Sequence, residues 1–220
     1  MQVICNKPIC SAMYPSRHEL TVAVDYDTPM MRAITSVDIH PLFAERRSPR
    51  TFDEVATIPT TDLLAILEAA RWSPSSSNNQ PWRFLVGQRG DEVFNGILQT
   101  LVSFNQGWAF RASALILVTG VNRRPDGAVN AGYQYDCGLS AAQLTLEAHS
   151  RGYAAHQMGG FDKAQAAEIF ELSEELTPVI AIAIGQEGSI DQLDEDMAAR
   201  EKAPRTRKEL SEIVLRGLPR

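Results

Sequence analysis

Apolar residues recur along this chain in two patterns, one with the period of a helix and one as unbroken runs. Leu63, Leu67 and Ala70 share one helical face, which predicts a helix over residues 61–72 with Thr61 as its N-cap. Unbroken apolar runs are typical of strands that are buried on both faces. These runs predict three strands, at residues 84–86, 114–119 and 179–184.

A long helix is predicted over residues 131–151, with Gly152 as its C-terminal stop. Leu139, Ala142, Leu146 and Ala148 are the positions of this helix that the pattern assigns to the core. Further helices are predicted at residues 39–44, 93–104, 163–170 and 208–216, and a short strand at residues 153–156.

Helices therefore alternate with buried strands, which predicts a sheet enclosed between two layers of helices. The chain has 220 residues, a length that suits one domain. Residues 1–35 have no clear period and are interpreted as an N-terminal extension, and residues 36–220 as the folded domain.

Composition and charge narrow the possible functions. The chain is 44% hydrophobic and 22% charged, which allows a sizeable core, and its net charge is −6. An acidic chain of this kind is not expected to bind nucleic acid or a membrane surface, and no apolar run approaches the ~20 residues of a membrane helix. The three cysteines, an odd number at no zinc-like spacing, together with the absence of a signal-peptide pattern predict a cytoplasmic protein without a metal site.

A loop of small polar residues, 73–82, joins the helix at 61–72 to the first strand. Its sequence is Ser-Pro-Ser-Ser-Ser-Asn-Asn-Gln-Pro-Trp, which offers many backbone N–H groups and side-chain amides to a polar, planar ligand. A plain polar connection between a helix and a strand is the alternative interpretation.

Two arginine clusters could converge on one phosphate. Arg46, Arg47 and Arg50 surround Ser48, and Arg205 and Arg207 form a second basic group near the C-terminus. Guanidinium groups bind phosphate through paired hydrogen bonds, and a serine hydroxyl adds a donor. The alternative is that each cluster is a solvated basic surface.

Other features give weaker signals. Gly159 and Gly160, after a predicted strand, would let the backbone approach a ligand, or would form a tight turn with Asp162 capping the next helix. Cys137 lies in a predicted helix and is interpreted as a core residue. The chain has no Gly-x-Gly-x-x-Gly, no Walker loop and no nucleophile elbow. A phosphate grip without an obvious acid, base or nucleophile is typical of a protein whose cofactor performs the reaction.

Four blocks of residues, in the same order along the chain, resemble the FMN-dependent nitroreductase family. The blocks are residues 46–52, Arg-Arg-Ser-Pro-Arg-Thr-Phe; residues 69–82, which include the polar loop; residues 152–162, which include the paired glycines; and Ile184-Gly185 followed by Arg205 and Arg207. The second block is the most specific of the four. The resemblance covers roughly residues 38–216.

The resemblance implies an α+β fold, a nitroreductase-like α/β/α sandwich whose mixed, mostly antiparallel sheet is flanked by helices. It also implies an intertwined homodimer with two FMN sites at the interface. The residues implied to surround the FMN phosphate are Arg46, Arg47, Ser48, Arg205 and Arg207, with Arg50 and Asn105 near the pyrimidine edge of the flavin and backbone N–H groups of Gly159 and Gly160 near its N5 atom. Pro74, Ser75, Ser76, Asn78 and Gln80 are implied to reach the flavin from the partner subunit.

The implied function is an FMN-dependent oxidoreductase that takes electrons from NADH or NADPH. It would reduce nitroaromatics, quinones or a related small-molecule acceptor by ping-pong transfer through flavin N5, without a catalytic side chain. Gly159 stands where many relatives have glutamate, and Trp108, where some have a basic residue, is expected to shape the substrate pocket or to be a packed core indole. Alternatives are reductive dehalogenation or flavin destruction on the same fold, and a non-enzymatic FMN-binding protein.

Overall fold

The computed structural model describes residues 32–217, which form one four-stranded sheet between two layers of helices. The predicted N-terminal extension lies almost entirely outside these residues and stays a prediction. The helices are α1 (Pro41–Glu45), α2 (Thr60–Arg71), α3 (Glu92–Thr100), α4 (Ser103–Ala109), α5 (Tyr133–Ser150), α6 (Lys163–Ile169), α7 (Glu195–Lys202) and α8 (Leu210–Ile213). The strands are β1 (Trp82–Gln88), β2 (Ala114–Val121), β3 (Ala154–Met158) and β4 (Leu176–Gly185).

The sheet has the strand order β1-β2-β4-β3, and each of these three pairings is antiparallel. Strand β4 starts before the predicted Val179 because it accommodates Pro178 at a β-bulge. The register shifts there, from Val118 opposite Ile180 to Thr119 opposite Pro178. A proline has no N–H group to donate to a neighbouring strand, so a bulge is one of the few sites within a sheet that admits it.

The two faces of the sheet contribute to two separate cores, which confirms the predicted sandwich. Ile116 and Val118 of β2 pack with residues of α2 and α5, whereas Leu115 and Leu117 pack with residues of α3 and α4 on the opposite face. This alternation follows from the two-residue period of a strand. Cys137 lies in the first of these cores, where burial raises the pKa of its thiol to about 12, so it is a core residue as predicted.

The predicted inward face of α5 is wrong at three of its four positions. Ala148 is buried, but Ala142 is exposed and Leu139 and Leu146 are half-buried. The buried face carries polar residues beside apolar ones such as Leu144, and two buried hydroxyls of this face are hydrogen-bonded. The Ser140 hydroxyl donates to the Ala70 carbonyl at 3.1 Å, and the Thr145 hydroxyl donates to the Ala141 carbonyl at 2.8 Å.

The single helix predicted over residues 93–104 is also wrong, because the chain leaves the helix at Leu101 and starts again as α4. Leu101 forms a β-bridge with Phe161, and the Val102 N–H donates to the Gly160 carbonyl at 3.1 Å. These long-range contacts break the helix. At the start of α2 the N-cap is Pro59 rather than the predicted Thr61.

Two features are absent from residues 32–217. None of the helices in this range combines the length and the apolar character that crossing a membrane requires. The same range holds no cluster of three or more His, Cys, Asp or Glu side chains that could ligate a metal ion.

Gly87 of β1 is expected to be intolerant of a side chain. A Cβ at this position would lie 2.1 Å from the backbone nitrogen of Phe94, and α3 cannot move away without unpacking from the sheet. Gly87→Ala should therefore lower the free energy of unfolding by about 3 kcal/mol, the upper end of overpacking costs. Chemical denaturation followed by circular dichroism measures this change.

Gly107→Ala is the matched control, because a Cβ at that position of α4 would meet no atom within 4 Å. Alanine is favoured over glycine in a helix by up to ~1 kcal/mol, so this variant should be unchanged or slightly more stable. Equal stability of the two variants would contradict the close packing of α3 on β1.

Candidate active site

Two segments distant in sequence bring the predicted arginines together. The first follows α1 and is held beside the end of β4, since Phe52 forms a β-bridge with Glu187 and Asp53 N–H donates to the Gln186 carbonyl at 3.0 Å. The second follows α7, and the Arg205 guanidinium donates to the Ala44 carbonyl at 2.9 Å. Together they line a cavity of about 210 Å³, the arginine pocket, which is formed by Arg46, Arg47, Ser48, Arg50, Arg200, Glu201, Ala203, Arg205 and Arg207.

Glu201 is the acidic residue of the arginine pocket. Its carboxylate accepts hydrogen bonds from Arg47 at 3.0 Å and from Arg50 at 2.9 Å, and its side chain is only 5% exposed. Arg47 also forms an ion pair with Glu187. The Nε–H groups of Arg47 and Arg50 are nevertheless buried without an acceptor among the described residues. The pocket therefore retains unused donors for an anion.

The remaining arginines of the pocket repel one another. Burial and the charge of Arg207 lower the pKa of Arg46, and burial followed by the charges of Arg46, Arg207 and Arg47 lowers the pKa of Arg205. The positive charge of the pocket also acts on the last turn of α5, where burial and the Arg46 charge lower the pKa of His149. An anion in the pocket would relieve this repulsion.

A continuous strip of side chains leads from the arginine pocket to the paired glycines. The guanidinium groups of Arg50 and Arg200 lie 5.7 Å and 5.9 Å from the centre of the Phe104 ring, at the start of α4. The next residue, Asn105, is nearly buried, and its side-chain amide donates to the Gly160 carbonyl at 3.1 Å. A Cβ at Gly159 would meet no atom within 4 Å, so the strip is open at its end.

Trp108 has the packed position that the sequence analysis retained as the alternative to a pocket residue. It is fully buried, with its ring 6.1 Å from that of Phe52 and 4.6 Å from that of His156. The indole Nε1–H has no acceptor among the described residues. Its role in shaping a substrate pocket stays a prediction, but within one chain its ring belongs to the core.

The polar loop has an unusual backbone. Ser77, Asn78 and Gln80 have φ angles of 50°, 56° and 46°, a left-handed conformation that few residues other than glycine adopt. The Gln80 N–H donates to the Ser75 hydroxyl at 3.0 Å, and the Ser76 N–H donates to the buried Asp136 carboxylate at 3.3 Å. Backbone strain of this kind is concentrated at functional sites.

The loop and the arginine pocket lie near opposite ends of α5. Asp136, which accepts a hydrogen bond from the Ser76 N–H, is in the first turn of this helix. His149, whose pKa is lowered by burial and by the Arg46 charge, is in the last turn. At ~1.5 Å per residue the two positions are about 20 Å apart along the helix axis. Within one chain, the predicted ligand residues thus form two groups, one in the strip and one in the loop.

Four residues of this region were not predicted from sequence: Phe104, Asp136, Arg200 and Glu201. Glu201 had a signal, because it is an acidic residue inside the basic run from Arg200 to Lys208. The acidic residues before it, Asp191, Asp194, Glu195 and Asp196, are exposed. Phe104 and Asp136 had no such signal, since each acts through a contact distant in sequence.

An antiparallel sheet lies between helix layers, and a pocket of arginines continues as a strip to two glycines. The chain belongs to the nitroreductase family, whose family model matches residues 43–101 and 87–186. These two matches overlap and span the sheet, α2 to α6 and the first arginine segment.

Relatives with names and solved structures agree with this assignment. The chain is 32% identical over 192 residues to YdgI of Bacillus subtilis, named as a candidate NAD(P)H nitroreductase, covering 70% of this chain and 90% of that protein. A crystal structure of an oxidoreductase containing FMN superimposes with a TM-score of 0.78 at 34% identity, covering 82% of this chain and 92% of the other. A candidate nitroreductase of Exiguobacterium sibiricum in complex with FMN gives a TM-score of 0.65 at 26% identity, covering 82% and 98%.

Proposed function

We propose that this protein is an FMN-dependent oxidoreductase that uses NADH or NADPH to reduce nitroaromatics, quinones or a related small-molecule acceptor. Its family membership and its FMN-containing relatives support the cofactor and the donor. The observation that carries the proposal is the convergence of two arginine segments on one cavity whose buried donors have no acceptor.

The residues from the arginine pocket along the strip match the parts of FMN in order, from the phosphate to the flavin ring. Arg46, Arg47, Ser48, Arg205 and Arg207 would hold the doubly charged phosphate, because guanidinium and hydroxyl donors suit phosphate oxygens. Arg50 and Asn105 would lie along the pyrimidine edge of the ring, and Gly159 and Gly160 beyond them. FMN, when bound, supplies the two-electron redox chemistry that protein side chains do not provide.

The side chains around Arg50 would set the charge of this region. A guanidinium at the pyrimidine edge stabilises negative charge there and so favours reduction of a bound flavin. Burial lowers the pKa of His156, the hydrogen bond to the Pro49 carbonyl partly offsets this effect, and the Arg50 charge lowers the pKa further. Its Nδ1–H donates to the Pro49 carbonyl at 2.9 Å, which fixes the backbone next to Arg50.

A homodimer with two shared FMN sites explains the position of the polar loop. The loop is anchored at the first turn of α5 and the arginine pocket acts on its last turn, about 20 Å away along the helix axis, so we place the loop at the flavin of the second chain. The outward face of α5 carries Tyr135, Leu139, Ala142 and Leu146, an apolar stripe at helical spacing that a second copy would cover. Pro74, Ser75, Ser76, Asn78 and Gln80 would then reach the flavin of the partner subunit.

The purified protein is expected to be yellow, with flavin absorption in proportion to its chain concentration. Anaerobic addition of NADH or NADPH should bleach this absorption, and a nitroaromatic or a quinone should restore it. A colourless protein that takes up no added FMN would overturn the proposal. Bound FMN that neither nicotinamide bleaches would instead indicate a flavin-binding protein without reductase activity.

A further inference from the structure

A second basic cavity lies beside the polar loop, away from the arginine pocket. It has a volume of about 410 Å³, and its lining includes three arginines: Arg83, Arg123 and Arg124. We infer that this cavity, the rim cavity, binds phosphate groups of the nicotinamide dinucleotide that reduces the enzyme. The inference rests on the proposed function and adds to it the site that holds the electron donor.

The three arginines are presented by ordered backbone. Arg83 belongs to β1, and its guanidinium donates to the Gln80 carbonyl at 3.1 Å and to the Trp82 carbonyl at 2.7 Å, which ties it to the polar loop. Arg123 forms a β-bridge with Val129, and the Arg124 N–H donates to the Ala128 carbonyl at 2.8 Å. The turn after β2 thus holds the second and third guanidinium groups beside the first.

The charge balance of the rim cavity favours an anion. Its lining has three arginines and one acidic residue, Glu175, in a chain whose net charge is −6. Arg124 lies 3.4 Å from Asp126, but both side chains are about half exposed or more, and exposed pairs of this kind contribute little energy. Guanidinium groups that converge on a concave site are suited to phosphate oxygens.

The position of the rim cavity points to a dinucleotide. Asn79 and Arg124 also line a neighbouring cavity of about 510 Å³, whose wall includes Ser76 and Ser77 of the polar loop. In the proposed dimer this loop reaches the partner's flavin, so the rim cavity lies outside the mouth of that site. A nicotinamide ring stacked on the flavin must direct its phosphates and adenosine away from the ring, towards this rim.

The test replaces Arg123 and Arg124 by glutamine, singly and together, in the FMN-loaded protein. Each replacement removes charge-assisted hydrogen bonds to phosphate, so kcat/KM for the donor should fall about 10-fold or more per arginine, with FMN content unchanged. Both groups are exposed, so the variants are expected to fold. Arg71→Gln is the matched control, because this replacement also removes one positive charge. Arg71 is exposed on α2 and lies outside the rim cavity.

NADH and NADPH distinguish the two phosphate sources. A loss confined to NADPH assigns the cavity to the adenosine 2′-phosphate, whereas an equal loss with both donors assigns it to the pyrophosphate. Unchanged kcat/KM for both donors in the double variant would overturn the inference while the reductase stands. If neither donor bleaches the wild-type protein, the proposed function fails and this inference fails with it.

Discussion

Replacing Arg46 and Arg207 together by glutamine is expected to abolish FMN binding while the fold stays intact. Each guanidinium would contribute about 1.5–3 kcal/mol through charge-assisted hydrogen bonds to the phosphate. The loss of both should raise the dissociation constant for FMN by about 100-fold to 10,000-fold. Fluorescence titration of FMN with the apoprotein measures this change.

The fold should tolerate the double replacement because neither arginine holds it together. The hydrogen bonds of Arg46 to the Ser48 hydroxyl and of Arg207 to the Thr206 carbonyl are both local. The positive charges of Arg46 and Arg207 also repel each other. The apoprotein should therefore melt at the same temperature or slightly higher. Arg46→Lys with Arg207→Lys keeps the charge without the paired geometry and should bind FMN with intermediate affinity. Wild-type FMN affinity in the glutamine variant would contradict a phosphate site in this pocket.

The sequence predicted several residues of the strip, but not the contacts that bring them together. Arg46 and Gly160 were selected for the chemistry of their residue types, whereas Asn105 was selected only because the family resemblance implies it. The break between α3 and α4 that sets Asn105 against Gly160 could not, because neither proline nor glycine marks it. It depends on the pairing of Leu101 with Phe161, residues that are distant in sequence.

The inward face of α5 illustrates a second limit. Periodicity assigns apolar residues to the core, but this helix has apolar residues on both faces. Ser140 and Thr145 are tolerated inside because their hydroxyls find backbone carbonyls, while Leu139 and Leu146 remain on the outer side. The apolar pattern therefore assigned to the core a face of α5, with Leu139 and Leu146, that the proposed second copy would cover.

Two variants that are each inactive alone are expected to recover activity when they share a dimer. One carries Arg46→Gln and Arg207→Gln in the arginine pocket. The other carries Asn78→Gly and Gln80→Gly, which remove both amides and suit the left-handed backbone at these positions. If the loop serves the partner's flavin, a heterodimer has both defects in one site and none in the other. It should therefore bind one FMN per dimer with about half of the wild-type activity.

Coexpression with two different affinity tags and sequential purification isolates this heterodimer, and flavin absorption with steady-state kinetics gives both quantities. The control is each variant as a homodimer, in which both sites carry one defect. The test is decisive because the two architectures predict opposite results from the same chains. If each chain binds FMN with its own loop, both sites of the heterodimer are defective and no activity returns. That result would contradict the shared site.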